Sequence, residues 1–263
     1  VPRSTTRPAI IAIAHALRSL REKRKISLRA VAKTTDISPA KLSGLETGER
    51  RQEPILVAYL LGFLQVPVSR MKELVEVAER VDEPDFFDPT GRDEKLLRTA
   101  FEQLSTEIFE WSPTLFPKAL RSDAYTRAIQ GSSVPDPDTT TRDLVPAAAR
   151  STQPNVTHTL YTFLIGEAAT RPDACTPEVL LDQIEEVATI AKMLRLSIGR
   201  VPASVCPPGM VEPFTLYENN YGAIAVAVKH DRGIAFLTNE WSLKYYSKQA
   251  TWLRSVVAEN PWP

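Results

Sequence analysis

Cysteine and histidine are scarce in this 263-residue chain, at 2 and 3 residues. Cys175 and Cys206 belong to no CxxC pair, which argues against a disulfide framework or a structural zinc site and fits a reducing compartment. Cys206 runs into Pro207-Pro208-Gly209 and reads as a loop thiol. His15, His158 and His230 stand alone, and no HExxH, GxSxG, GxGxxG or phosphate-loop pattern accompanies them. The chain therefore suggests no reaction: no enzyme, no catalytic residues, no metal and no cofactor are expected. Long apolar runs are missing too, and no signal-peptide pattern opens the sequence. The expected setting is cytoplasmic, with no membrane partner.

Net charge is also missing, since 32 Lys and Arg balance 32 Asp and Glu. The balance hides an asymmetry. Residues 1–80 carry 15 basic against 8 acidic side chains, leaving 17 against 24 for the remainder. A basic N-terminal module beside an acidic C-terminal one suits a nucleic-acid binder joined to a domain with another task. At 43% hydrophobic residues the chain is long enough for two cores.

The most informative stretch runs from Ser27 to Arg51 and reads as two short helices joined by a tight turn. Ser27 opens the first helix, whose apolar Leu28, Val31 and Ala32 share one face. Asp36 occupies a turn position needing an unusual backbone conformation, which Asp tolerates. Ser38 suits an N-cap and Pro39 the first helical position, because proline has no N–H to leave unbonded. Leu42 and Leu45 point inward, and Gly48 ends the helix. That is the pattern of a DNA-binding helix-turn-helix. Flanking periodicity predicts a helix from about Ala9 to Arg24 with a stripe of Ile10, Ile13, Ala14, Leu17 and Leu20. A fourth helix starts near Pro54 with Ile55, Tyr59, Leu60 and Phe63, and a fifth after Ser69 with Met71, Leu74, Val75 and Ala78.

Through Ser27-Leu28-Arg29, Val31-Ala32, Ile37-Ser38, Leu42-Ser43, Leu45-Glu46, Gly48 and Pro54, the segment resembles the Xre-type, phage-repressor-like regulators. The resemblance implies an all-α five-helix bundle over 9–81, after a flexible lead-in over 1–8, and double-stranded DNA as partner. It sets Pro39, Ala40, Ser43 and Gly44 toward base edges, flanked by Ser27, Ser38 and Thr47. Bidentate base readout needs Arg, Lys, Asn or Gln, and only Lys41 nearby has that reach. Gly44 leaves a gap where many relatives carry a long polar side chain. Affinity is then expected mainly from phosphate contacts by Arg29, Lys33, Lys41, Arg50 and Arg51. Glu46 is expected to brace the bundle against Arg18 or Arg21.

The stretch 82–92, with Asp82-Glu83-Pro84-Asp85 and Pro89-Thr90-Gly91, reads as a linker. A larger α+β domain is expected over 93–263. Helices are predicted from Asp93 to Trp111, Ser122 to Gln130, Thr141 to Ser151, Glu178 to Leu194 and Trp241 to Val257, with a polar loop over Gly131–Thr141. Strands are predicted at Val156–Ile165, Leu196–Val201, Phe214–Tyr217, Ala223–Val228 and Ile234–Leu237.

This half resembles the C-terminal domain of unknown function found in actinobacterial Xre-type regulators. The matching text is Pro117-Lys118-Ala119-Leu120, Tyr125-Thr126-Arg127-Ala128, Arg142, Gly166-Glu167-Ala168-Ala169, Gln183-Ile184, Val201-Pro202 and Pro213-Phe214-Thr215. Such regulators are often encoded beside a small partner protein, which the resemblance offers as a partner. Arg127 and Glu167 read either as a salt bridge or as part of a cleft for an effector or partner. Trp241, Tyr245 and Trp252 share one face of the last helix, as core or as an interface. The whole reads as a DNA-binding transcriptional regulator working as a homodimer. The alternative is an interaction module for a small partner protein, with DNA contact secondary.

Overall fold

A computed structural model of the chain describes residues 7–131, 159–171, 175–194, 196–207, 209–230 and 232–257. The loop read after Gly131, the helix read over 141–151, Arg142 and His158 lie outside the described residues. In chain order the elements are α1 (Pro8–Lys23), α2 (Leu28–Thr35), α3 (Pro39–Thr47), α4 (Pro54–Phe63), α5 (Val68–Glu79), β1 (Phe86–Asp88), α6 (Glu94–Leu104), β2 (Glu107–Ser112), α7 (Asp123–Gly131), β3 (Leu160–Gly166), α8 (Pro177–Leu194), β4 (Ser197–Val201), β5 (Phe214–Asn219), β6 (Gly222–His230), β7 (Gly233–Leu237) and α9 (Glu240–Val257). None of these helices is long and apolar enough to cross a membrane.

Two compact units divide them, Val1–Gln103 with Arg232–Glu240, and Leu104–Asp231 with Trp241–Pro263. In the first, α1 is the central strut and packs on α3 and α5. Its Ala9–Ala14, Ala16 and Leu17 are all buried, a wider apolar surface than the single stripe read from spacing. In α4 the inward residues are Val57, Leu60 and Leu61, while Ile55 and Tyr59 are 79% and 51% exposed. The helix is apolar on every side, so its periodicity carries no preferred face and its neighbours choose one.

The stretch read as a linker carries structure. Its Phe86–Asp88 pairs antiparallel with Ile234–Phe236. Asp88 caps the turn that follows, accepting from the Thr90 and Asp93 amides at 3.0 and 2.7 Å. Asp85 accepts from the Thr238 amide and the Asn239 side chain at 2.9 Å.

The second unit is built on strands in the order β4-β3-β2-β5-β6. Strand β2 runs parallel to β3 and antiparallel to β5, β3 and β4 are parallel, and β5 and β6 form an antiparallel pair. The helix read from Asp93 to Trp111 therefore ends at Leu104, and Glu107–Ser112 is a strand. The β-branched and aromatic Ile108, Phe109 and Trp111 suit a pleated surface, and a strand paired on either edge supplies backbone partners that a helix would have supplied locally. Trp111 is fully buried and its indole N–H donates to the Met210 carbonyl at 3.1 Å. On α9 the inward aromatic is Tyr246, 4.9 Å from the Phe214 ring, whereas Trp241 and Tyr245 stack on each other at the surface, 72% and 43% exposed.

Candidate nucleic-acid interface

The local hydrogen bonds of the helix-turn-helix follow directly from its residue types. The Ser27 hydroxyl accepts from the Ala30 amide and the Ser38 hydroxyl from the Lys41 amide, both at 3.2 Å. Each satisfies a donor that the first helical turn leaves unbonded. Asp36 takes the left-handed conformation (φ 56°) that closes α2, and Gly48 (φ 75°) closes α3. Gly48 is also spatially constrained, since a Cβ there would lie 3.2 Å from Ile11 Cδ1. Both serine hydroxyls keep a proton to donate, so capping does not remove them from phosphate binding.

Two polar groups fix α3 against its neighbours. Arg21 grips Glu46 with two parallel hydrogen bonds of 2.7 and 2.8 Å, and its third nitrogen donates to the Ile26 carbonyl at 2.9 Å. The pair is largely buried, with side-chain exposures of 12% and 6%. Arg18, the other brace considered, instead pairs with Glu22 at 2.9 Å. Gln52 is fully buried and its amide donates to the carbonyls of Ile10 and Leu45, tying α1 to α3.

With α3 held this way, Ser27, Arg29, Lys33, Ser38, Pro39, Ala40, Lys41, Thr47, Arg50 and Arg51 are exposed and Ser43 is half-buried. Gly44 differs from the expectation of an open gap. It is buried, because the stem of Arg50 lies across it. Arg51 is not a free cation: its guanidinium bonds Asp82 at 3.0 and 2.6 Å, and Arg7 reaches the same carboxylate at 3.1 Å. Arg51 chiefly, and Arg7 after it, hold the Asp82 carboxyl below its usual range. No short-range pattern links Asp82 to Arg51, so sequence reasoning missed this residue.

The family motifs of the second unit resolve into local latches. Gln183, fully buried on α8, accepts from the Ser122 amide at 2.7 Å and donates to the Leu120 carbonyl at 2.8 Å. Ser122 in turn caps α7 through the Tyr125 amide, and Tyr125 packs edge-on against Phe116 at 5.1 Å. Glu167 accepts from the Ala203 amide at 2.7 Å. Arg127 is exposed on α7, and no ion pair joins it to Glu167 among the described residues. Burial raises the Cys175 and Cys206 thiols above their ordinary range, which disfavours the reactive thiolate. Among the described residues, no three His, Cys, Asp or Glu side chains come together as a metal site.

Comparison with known families assigns both regions. A model described as a helix-turn-helix domain matches residues 12–74, and one described as a domain of unknown function (DUF5753) matches residues 97–260. No curated protein and no solved structure matches the chain.

Proposed function

The chain belongs to the DUF5753 family, and from the helix-turn-helix domain ahead of that region we propose an Xre-type transcriptional regulator. Residues 9–81 bind double-stranded DNA, with α3 in the major groove and α2 across the backbone. Residues 93–263 control that binding, through homodimerisation and contact with an effector or a small partner protein. The protein works in the cytoplasm and catalyses no reaction. The observation that carries this reading is the exposed row of Arg29, Lys33, Lys41 and Arg50 around a doubly capped, rigidly braced α3. Pairing of two such heads is required because one module buries too little surface for a selective site.

The test is a salt-titrated binding assay of the full chain on DNA upstream of its own gene and on scrambled DNA, with Lys41→Ala alongside. Selective binding is expected, with affinity falling steeply as salt rises. Lys41→Ala should weaken it and flatten the salt slope by about one. A second reading, an interaction module with incidental DNA contact, draws on the base-facing Pro39, Ala40 and Gly44. Equal affinity for both DNAs would favour it.

A further inference from the structure

We propose that Arg50, seated on Gly44, reads a guanine edge for a recognition helix that carries no arginine of its own; the inference rests on the DNA-binding reading above. The exposed residues of α3 are Pro39, Ala40, Lys41 and Thr47, with Ser43 half-buried, and of these only Lys41 is a long donor, a flexible ammonium without the fixed fork of an arginine. Gly44 lies one turn from both Ala40 and Thr47, which are exposed, yet it is buried. Its cover is Arg50. A Cβ at position 44 would lie 2.8 Å from Arg50 Cγ, 2.9 Å from Cδ and 3.2 Å from Nε. A side chain at 44 and Arg50 in this place therefore exclude each other.

The seat is fixed at its base as well, because the Arg50 amide donates to the Gly44 carbonyl at 3.0 Å. The stem thus lies against Gly44 from Cγ to Nε, which holds the start of the guanidinium at that turn of α3. Arg21 and Arg51 are committed to Glu46 and Asp82, whereas Arg50 is exposed and pairs with no carboxylate among the described residues. An arginine that only neutralised a phosphate would need no such seat. A planar fork held at the groove-facing surface fits the O6 and N7 acceptors of guanine.

The test selects binding sites from a randomised duplex pool with full-length wild type, Arg50→Ala and Gly44→Ala, each checked for native circular dichroism. Wild type should enrich a motif containing a guanine column that both variants lose. On the wild-type site Arg50→Ala should weaken binding by about 5- to 150-fold, the range of one bidentate base contact, and on scrambled DNA far less. Gly44→Ala keeps the charge but unseats it, so its salt dependence should stay that of wild type. An unchanged motif with evenly weakened binding in Arg50→Ala would overturn the inference and leave Arg50 a phosphate contact. If wild type enriches nothing, the DNA-reading function falls and this inference with it.

Discussion

Removing the Glu46 carboxylate should be among the most damaging single changes in the N-terminal unit. Glu46→Ala leaves the Arg21 guanidinium in a site where it is only 12% exposed, with the Ile26 carbonyl and the half-exposed Glu22 carboxylate at 3.5 Å as its remaining partners. Stripping one partner from a buried, bidentate pair costs about 3–5 kcal/mol, because the survivor stays desolvated, and Glu22 at that distance replaces neither short bond. The better helix propensity of Ala returns only a few tenths, so the loss dominates. The pair also borders a cavity of about 10 Å³ lined by Leu17, Val31, Leu42, Leu60 and Leu64, which truncation would enlarge. Replacing both partners, as in Arg21→Met with Glu46→Leu, removes the buried charge together with its partner. That double variant should fall within about 1–2 kcal/mol of wild type, the lost Ile26 bond included. The assay is denaturant-dependent hydrogen exchange of α1 and α3 amides in the full chain. A Glu46→Ala loss below about 1 kcal/mol, the range of an exposed pair, would refute the reasoning.

Asp82→Asn should release Arg51 and Arg7, tighten non-specific DNA binding severalfold and steepen the salt slope by about one; weaker binding would show that the clamp holds the interface together. Tyr246→Ala should cost about 3–5 kcal/mol by emptying a buried site against Phe214, and Trp241→Ala less than about 1 kcal/mol, both read by urea unfolding. The His15 imidazole is held below its ordinary value chiefly by burial. The unfolded chain then takes up the proton first, so this contribution is complete above pH 6.5 and is lost as pH falls from there toward the folded-state value. His15→Gln should flatten the fall in stability of α1 between pH 7.5 and 5.5, and hydrogen exchange equally pH-dependent in both proteins would count against it.

What could be read directly from residue order was local. A cap joins residues three apart, so Ser27, Ser38, Asp36 and Gly48 announce their roles in the primary sequence, as does the periodic α8. Misread segments share a different cause. Glu107–Ser112 follows a helix closely enough to extend its pattern, and only the flanking strands make it a strand. The all-apolar α4 and the aromatic face of α9 carry no local mark of which side meets the core, so only the fold shows that Ile55, Tyr59 and Trp241 lie outward.

The sequence by itself determined where α2 and α3 begin and end, that basic residues surround them, and that the base-facing positions are poor in long polar side chains. Only the tertiary structure decided which cations remain available. Arginines at 21, 50 and 51 are chemically identical in the sequence. Packing buries the first against Glu46, lays the second over Gly44 and closes the third onto Asp82. A hydrogen bond across three residues is set by the chain's own stereochemistry, whereas one across 25 or 31 exists only where folding has brought the partners together.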